Sequence, residues 1–349
     1  MSAPALPRSA VPAAHATAHH GHGTATAPPK ASGEMTRAIV FREAGVLDTH
    51  VASLREAASD EVVVDTKYSS ISAGTERLLF SGKLPGFPML RYPLVPGYEA
   101  AGVVVRTGSD VRDIALGDEV FVGGSMCYTD VAGVFGGNAA RLIKKAAQVV
   151  PLHGIPLARA PLLALAATSL HGVLRLGDVA GRRVCVLGMG AIGAFAARFL
   201  VAAGANVVAA DVNGARLADL PEGCEPLDLS ALALDEALHD LDAVVEATGN
   251  SHELARCARA LRPGGTIALL SYYDELRSPY VDLFVKEVSL VVAREWAHPD
   301  LLAARDALAS GAIAVGRLAD HVVPVAEYER AYATAFEDPS VPKVILQWA

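Results

Sequence analysis

The pattern of apolar and polar positions changes partway along the chain. From Thr36, short runs such as TRAIVF and EVVVDTKYSSIS alternate apolar and polar residues and are separated by Gly, Pro and Asp. This pattern predicts antiparallel strands in a partly open barrel. From about Leu157, Ala- and Leu-rich helical segments alternate with short Val-rich strands. That alternation predicts a parallel α/β sheet.

The end of the chain departs from the βα alternation. After Trp296 the sequence predicts a helix over 299–310, a strand at HVVPV, a helix over 327–336 and a last strand at KVILQW. We therefore predict a Rossmann unit in residues 157–296, inserted into a domain formed by residues 35–156 and 297–349. The length of 349 residues fits two domains.

Composition narrows the classes of protein. Residues 1–34 are rich in Ala, Pro and Thr and lack apolar periodicity, which predicts a disordered tail. No run approaches the roughly 18 apolar residues of a membrane span. The net charge of -8, without a Lys/Arg block, argues against a nucleic-acid partner. Four cysteines without a CxxC pair favour a reducing cytoplasm.

A dinucleotide-binding motif stands at the start of the predicted parallel sheet. The run VCVLGMGAIGAF places Gly188, Gly190 and Gly193 in GxGxxG spacing between a Val-rich strand and an Ala-rich helix. Such glycines permit the turn, the approach of a pyrophosphate and close packing of helix on strand. The helix N-terminus, with Ala191 and Ile192, would stabilise the phosphate charge. The alternative is a structural turn without a ligand.

Two further residues refine the cofactor prediction. Asp211 ends the second predicted strand, where a carboxylate accepts hydrogen bonds from ribose hydroxyls and repels a 2′-phosphate. Arg216 follows this acid and does not replace it, so we predict NAD in preference to NADP. Thr248, in EATGN, ends a strand at the sheet edge where dinucleotides lie. An ordinary strand-ending turn is the alternative for Thr248.

Residues 35–349 resemble the medium-chain dehydrogenase/reductase superfamily. The resemblance rests on the order of the two patterns and on ISAGTE (71–76), VPGYEAAG (95–102) and GDEVFV (117–122). It implies an α/β fold class: a doubly wound parallel Rossmann sheet plus a GroES-like, mainly antiparallel β-barrel catalytic domain. Zinc-dependent members carry cysteine and histidine where Ala73 and Tyr98 stand here. Alanine offers no ligand atom and tyrosine is a poor zinc ligand, so we expect no metal.

Longer strings resemble the branch of this superfamily that oxidises bacteriochlorophyllides. They include ISAGTERLLFSGKLPGFPMLRYPLVPGYEAAG, LLALAATSLHGV, REW (294–296) and AYATAFEDPSVPKVILQW. This resemblance implies zinc-independent, NAD-dependent oxidation of the C3 1-hydroxyethyl group of bacteriochlorophyllide a to acetyl. The alternatives are a zinc-free dehydrogenase or quinone reductase acting on a small alcohol, enone or quinone, and a catalytically silent NAD(H)-binding protein. Superfamily analogy also suggests a homodimer formed through the Rossmann sheets.

Four residues are candidates for chemistry without a metal, which must hydrogen-bond the alcohol oxygen and accept its proton. Thr75 matches the hydroxyl residue that begins the proton relay in zinc relatives. Tyr98 could orient the substrate oxygen, and Glu99 could act as base or tune its neighbours. His171 lies where relatives approach the nicotinamide, and histidine titrates near neutral pH. The alternatives are a turn cap for Thr75, a space-filling ring for Tyr98, a structural ion pair for Glu99 and a core histidine for His171.

The implied substrate is a large, flat macrocycle, which requires a wide apolar cleft with few polar anchors. The loop GKLPGFPMLRYP (82–93) offers Phe87, Met89 and Tyr92. Trp296 is a second candidate wall. Local packing is the alternative for each of these side chains.

Overall fold

The first half of the molecule consists mainly of β-strands. The computed structural model describes residues 31–84, 90–273 and 275–348. In chain order its first elements are β1 (Ala31–Glu43), β2 (Val46–Arg55), β3 (Glu61–Ile71), α1 (Ala73–Phe80), β4 (Leu94–Val95), β5 (Ala100–Thr107), β6 (Glu119–Val122), β7 (Ala132–Gly133), β8 (Arg141–Lys145) and β9 (Val149–Pro151). Val62, Val63, Val64 and Val104 fill buried positions of β3 and β5, since β-branched side chains suit a pleated, packed surface.

A parallel α/β unit follows. Its elements are α2 (Leu163–Leu174), β10 (Arg183–Leu187), α3 (Ala191–Ala202), β11 (Asn206–Asp211), β12 (Cys224–Asp228), α4 (Leu234–Ala237), β13 (Leu241–Glu246), α5 (Glu253–Ala260), β14 (Leu261–Leu269), α6 (Tyr280–Val285) and β15 (Ser289–Val292). In the described chain the strand order is β12-β11-β10-β13-β14-β15, and adjacent strands run parallel. This is the order of a Rossmann sheet, whose cofactor crevice lies at the carboxyl ends of β10 and β13.

The C-terminal elements return to the first half of the molecule. They are α7 (His298–Ala309), β16 (Val322–Pro324), α8 (Tyr328–Glu337) and β17 (Val344–Gln347). β17 pairs antiparallel with β3, so that Val344 lies opposite Ile71. Over the described residues this second sheet has the order β16-β17-β3-β5-β6-β9, with β8 also paired to β3. The predicted fold class is confirmed, while the domain boundaries at 156/157 and 296/297 stay predictions.

Two smaller sets of elements complete the description. In the parts of the chain that the structure describes, β2, β1, β4 and β7 form a further sheet in that order. Short 3₁₀ helices occupy Ala146–Gln148, Ala160–Leu162, Gly214–Asp219, Gly316–Ala319 and Val325–Glu327. No helix among the described residues is long and apolar enough to cross a membrane.

β1 begins inside the segment predicted as a tail. The Ser32 hydroxyl donates to the carbonyl of Leu54 at 2.9 Å, and Glu34 pairs with Arg106 at 2.6 Å. These contacts tie residues 31–34 to β2 and β5, which corrects the predicted tail boundary at residue 34. Residues 1–30 lie outside the described residues, and so do Phe87 and Met89.

α2 connects the apolar interiors of the two halves. One buried cluster contains Phe121 and Leu152 from the first half together with Val186 and Leu270 from the parallel sheet. α2 contributes Leu163 to Ala167 to the same cluster. The helix is therefore held on both sides, and it carries His171 at the junction between the halves.

Candidate active site

The turn between β10 and α3 carries the three motif glycines, called the glycine turn below (Gly188, Gly190 and Gly193). Gly188 has a φ of 93°, and a Cβ added there would lie 2.8 Å from the side chain of Thr248. A Cβ at Gly193 would lie 1.9 Å from the carbonyl oxygen of Gly188. Side chains at either position would therefore displace the turn, as the motif requires.

Gly190 has a different environment. A Cβ added there meets no described atom within 4 Å, so the space beside this residue is open. Gly190 is the N-cap of α3, and Ala191 and Ile192 open the helix. The first N–H groups of a helix have no partner within it and attract anions. This end of β10 therefore has the features of a pyrophosphate-binding turn.

Asp211 and Thr248 lie beside the glycine turn, as predicted for cofactor-binding residues. Asp211 is 3% exposed, and its carboxylate accepts hydrogen bonds from the N–H groups of Met189 at 2.7 Å and Asn213 at 2.8 Å. Arg216 lies 3.5 Å from the same carboxylate. The Thr248 N–H donates to the buried carboxylate of Glu246 at 2.9 Å, and its hydroxyl donates to the same group. Cofactor contact by Asp211 and Thr248 stays a prediction.

Ser72, Thr75 and Tyr98 form a hydroxyl cluster at the start of α1. The phenol oxygen of Tyr98 lies 2.5 Å from the Ser72 hydroxyl and 3.4 Å from that of Thr75. The Tyr98 ring contacts Phe135, with centroids 5.1 Å apart, and Trp296, with centroids 6.4 Å apart. Two predicted catalytic residues and one predicted wall of the substrate cleft are thus brought together.

The environment of Tyr98 keeps its phenol protonated. Desolvation raises the pKa of Tyr98, and the negative charge of Glu99 raises it further. A phenol in this state donates one hydrogen bond and accepts others. The hydroxyl cluster can therefore orient an alcohol oxygen, but Tyr98 is a poor general base at neutral pH.

Glu99 lies in the protein interior. Its side chain is fully buried and accepts hydrogen bonds from the Ser70 hydroxyl and from the ammonium group of Lys343, which is 4% exposed. The other carboxylate oxygen, Oε1, has no hydrogen-bond partner among the described residues. Burial without exposure to solvent favours an electrostatic effect on Tyr98 over direct proton abstraction from a substrate.

Glu76 is a second buried carboxylate, and it is hydrogen-bonded to the backbone of the hydroxyl cluster. It is fully buried, and its carboxylate accepts hydrogen bonds from the Ser72 N–H at 2.8 Å and from the Tyr332 hydroxyl at 2.6 Å. Asn138 donates a longer bond of 3.3 Å to the same carboxylate. Desolvation by burial raises the pKa of Glu76 to about 7. Its hydrogen-bond partners are neutral groups, in contrast to the cationic partner of Glu99.

His171 is anchored by a carboxylate. Its Nδ1 lies 2.7 Å from Oδ2 of Asp300, and the same oxygen accepts the N–H of Ala297 at 2.9 Å. Because a carboxylate only accepts, Nδ1 donates, and in the neutral imidazole Nε2 is then the acceptor. Asp300 caps α7 immediately after Trp296, so this contact also fixes the start of that helix.

The side chain of Tyr92 makes a hydrogen bond and apolar contacts with neighbouring elements of the fold. Its hydroxyl donates to the carbonyl of Leu79 in α1, and burial raises the pKa of the phenol. The ring packs at the edge of an apolar cluster that includes Phe41 and Leu94. Its predicted contact with substrate stays a prediction, as do those of Phe87, Met89 and Trp296.

The residues at the zinc position do not fit the metal. Ala73 has no ligand atom, and the Tyr98 phenol is protonated and hydrogen-bonded to Ser72. No three His, Cys, Asp or Glu side chains form a metal-binding group in the parts of the chain that the structure describes. Structural and catalytic zinc sites require three or four such donors.

Sequence reasoning missed four residues of this region. They are Ser72, Phe135, Asp300 and Lys343. A serine before a helix predicts a cap, and nothing in the sequence links it to Tyr98. Phe135 has a φ of 67°, which is rare for an aromatic residue and has no signature in the sequence. Lys343 stands in the quoted AYATAFEDPSVPKVILQW string, and no local pattern links it to Glu99.

Comparison with known proteins agrees with this fold. Residues 58–154 match the family described as Alcohol dehydrogenase GroES-like domain. Residues 167–255 match D-isomer specific 2-hydroxyacid dehydrogenase, NAD binding domain. The second match contains the glycine turn and Asp211.

Two relatives match along nearly their whole length, and both are named 2-desacetyl-2-hydroxyethyl bacteriochlorophyllide A dehydrogenase. The protein from Cereibacter sphaeroides is 36% identical over 319 residues, covering 90% of this chain and 98% of the relative. The protein from Rhodobacter capsulatus is 35% identical over 316 residues, with the same coverage. The chain belongs to this bacteriochlorophyllide dehydrogenase family. The family predicted from the sequence motifs is confirmed.

Membership of this family makes the chain an oxidoreductase that acts on CH–OH groups with a nicotinamide cofactor. A solved structure described as a zinc-binding dehydrogenase from Sinorhizobium meliloti 1021, bound to NADP, shares the fold. Its TM-score is 0.76 at 24% identity, covering 90% of this chain and all of that one. At that identity the likeness concerns the fold alone, so the choice between NAD and NADP rests on the residues of this chain.

Proposed function

We propose that this chain oxidises the C3 1-hydroxyethyl group of a bacteriochlorophyllide to acetyl, with NAD as hydride acceptor and without zinc. The observation that carries the proposal is the 36% identity, over 98% of its length, to a relative whose name states this substrate. The aromatic and hydroxyl residues around Tyr98 support it, since they offer hydrogen bonds within apolar walls.

The glycine turn would hold the cofactor. Ala191 and Ile192 would offer backbone N–H groups to the pyrophosphate, and Thr248 would line the crevice at the end of β13. The carboxylate of Asp211, buried beside the turn, would repel a 2′-phosphate, which supports NAD. The chemistry that NAD supplies when bound is acceptance of the hydride from the carbinol carbon.

Side chains of the protein would hydrogen-bond the alcohol oxygen and accept its proton. Tyr98 and Thr75 hydrogen-bond the substrate oxygen, and the buried Glu99–Lys343 pair sets the field around the phenol. His171 accepts the proton at Nε2, because Asp300 occupies Nδ1. Trp296, with Phe87, Met89 and Tyr92 from the 82–93 loop, would contact the macrocycle.

Turnover of the pigment tests this proposal. We expect purified, chelator-treated protein to form NADH when supplied with NAD and 3-(1-hydroxyethyl)-bacteriochlorophyllide a, with a red shift of the pigment absorption. Tyr98→Phe lowers kcat about a hundredfold, the range of a lost acid–base or orienting group. Tyr328→Phe is the matched control and turns over like the parent protein, because the Tyr328 hydroxyl lies on α8 with Glu329 as its partner at 3.5 Å.

Three results would argue against the proposal. Activity that disappears on chelation and returns with zinc contradicts the metal-free mechanism. Oxidation of small alcohols, enones or quinones but not of the pigment favours a different substrate class. Tight NAD binding without turnover of any of these compounds favours a silent NAD(H)-binding protein.

We also propose that two copies associate through β15 and α6. β15 is an edge strand of the described parallel sheet, and apolar side chains are exposed beside it. These include Tyr280 at 73%, Phe284 at 62% and Val292 at 57%. An open strand next to an apolar patch is suited to a two-fold interface. Light scattering should give a dimer that Phe284→Asp converts to monomer; a monomeric parent protein contradicts this assignment.

A cytoplasmic location is part of the same proposal. The four cysteines are free, three of them buried, as expected in a reducing compartment. Fractionation of cells should recover the protein with cytosolic markers, and recovery in an oxidising compartment would contradict this location.

A further inference from the structure

Ser72 stands where a helix cap is expected but does not act as one. It is the N-cap residue of α1, and serine at this position usually accepts a hydrogen bond from the first turn. Here its side chain makes no capping bond. The hydroxyl lies 2.5 Å from the phenol oxygen of Tyr98, and the residue is 7% exposed.

The backbone of Ser72 is fixed without help from its hydroxyl. Its N–H donates to the Glu76 carboxylate at 2.8 Å, and its carbonyl accepts the Glu76 N–H at 2.7 Å. The start of α1 is therefore held by Glu76. The Ser72 side chain can serve Tyr98, and its removal should leave the helix in place.

From this arrangement we infer that Ser72 is a positioning residue that fixes the phenol proton of Tyr98. A phenol carries one proton, so its bond to one neighbour determines what it offers to the next. Ser72 is much the closer of the two hydroxyl partners, at 2.5 Å against 3.4 Å for Thr75. Because the Ser72 hydroxyl occupies one hydrogen-bonding position of the phenol oxygen, the remaining position of the phenol is directed to the alcohol oxygen of the substrate.

This role rests on the proposed function and replaces part of what a metal would provide. Zinc fixes a substrate oxygen by coordination, whereas a phenol rotates its proton unless a neighbour holds it. Ala73 leaves no ligand at the adjacent position, and Phe135 and Trp296 restrain the ring itself. Ser72 supplies the missing restraint on the hydroxyl.

A double-mutant cycle tests the inference. We expect Ser72→Ala to lower kcat about tenfold with KM changed less than about twofold, since the residue acts on a contact made in the transition state. Because Ser72 acts through Tyr98, Ser72→Ala/Tyr98→Phe should be no slower than Tyr98→Phe alone. Ser72→Thr keeps the hydroxyl and should recover most of the loss. Effects that multiply in the double variant, or parental turnover by Ser72→Ala, overturn the inference.

A spectroscopic readout separates this inference from the substrate assignment. In protein labelled with ¹³C at the tyrosine ring carbon that bears oxygen, Tyr98→Phe identifies the Tyr98 resonance. Ser72→Ala should shift that resonance, and Ser72→Thr should leave it close to its position in the parent protein. Both variants should keep the melting temperature of the parent protein. A resonance unmoved by Ser72→Ala overturns the inference even if the enzyme is active. If the parent protein does not oxidise the pigment, the proposed function fails while this measurement still decides the role of Ser72.

Discussion

The glycine turn and the hydroxyl cluster are built by different means. The turn comes from one continuous segment, and its shape depends on the absence of side chains at Gly188 and Gly193. The hydroxyl cluster joins residues from two segments, and aromatic rings from two more restrain Tyr98. The turn would bind its ligand by backbone groups, whereas the cluster would use side-chain hydroxyls.

The buried residues that pack against the glycine turn and against the hydroxyl cluster also differ. The glycine turn packs on buried apolar strand residues such as Val186. The hydroxyl cluster lies over two fully buried carboxylates, Glu76 and Glu99, which have opposite kinds of partner. Glu99 faces the cation of Lys343, and Glu76 accepts hydrogen bonds from neutral groups. The two buried carboxylates therefore differ in how their negative charge is compensated.

The largest expected effect comes from breaking the Glu99–Lys343 pair. Lys343→Met leaves the Glu99 carboxylate buried without a cation, which should cost about 3–5 kcal/mol of stability. We expect the apparent Tm to fall by roughly 10 °C in a thermal-shift measurement. Glu99→Gln/Lys343→Met, with no buried charge at this position, should recover most of that loss.

A surface pair provides the control. Lys145 lies 3.5 Å from Asp60, and both side chains are more than half exposed, at 61% and 53%. Lys145→Met should change stability by less than about 1 kcal/mol. Equal losses from the two lysine variants would mean that burial of the Lys343 pair has no energetic consequence.

The second effect concerns Glu76 and pH. Its folded pKa is about 7 against 4.5 for an ordinary glutamate, so between these values the folded protein holds a proton that the unfolded chain has released. Stability should therefore fall as pH rises through this window, by about 3 kcal/mol in total. Glu76→Gln cannot ionise. Urea unfolding at about pH 5 and about pH 8 should show that the variant gains stability relative to the parent at the higher pH.

The change with pH in the stability difference between Glu76→Gln and the parent tests whether the pKa of Glu76 is raised. Below the unfolded pKa both states are protonated, and above about 7 both are ionised, so the variant-to-parent difference changes only in between. A difference that is the same at both pH values would show that Glu76 titrates normally. A difference of the opposite sign would show that its neighbours stabilise the carboxylate.

The comparison also explains how far the sequence could predict the site. The glycine turn was predictable because its residues are contiguous and the strand and helix beside it have clear periodicity. A parallel α/β sheet and the return of the C-terminal elements to the first half were predicted from local patterns of the same kind. The strand order of that sheet and the pairing of β17 with β3 were not. Thr75, Tyr98 and Trp296 were named in advance, and the structure brings them together.

The partners of these residues were not predictable. Ser72 carries a cap signature, and only the fold places its hydroxyl against Tyr98. The Glu99–Lys343 pair joins residues far apart in sequence, and the interpretation of Glu99 as a base could not anticipate its full burial. The contact of His171 with Asp300 depends on how α7 packs against α2. Each of these pairs is a tertiary contact without a local pattern.

The smallest expected effect isolates the ligand from the fold. Gly190 has a φ of −68°, which alanine adopts readily, and an added Cβ meets no described atom within 4 Å. Gly190→Ala should therefore lower the Tm by no more than about 4 °C, since alanine is a poorer N-cap than glycine by about 1 kcal/mol. NADH binding, followed by fluorescence titration, should weaken about tenfold because the methyl group occupies the space beside the helix start where a pyrophosphate would lie.

Gly193→Ala is the control for the NADH-binding measurement on Gly190→Ala. Its Cβ would lie 1.9 Å from the Gly188 carbonyl oxygen, so the turn must shift, and we expect a lower Tm together with weaker NADH binding. If Gly190→Ala binds NADH like the parent, the pyrophosphate does not pass Gly190 and the assignment of the turn is wrong. If both variants lose stability equally, the open space at Gly190 has no role separate from the fold. A tenfold loss of affinity with little loss of stability, at Gly190 alone, would establish that the open space beside this residue accommodates a ligand.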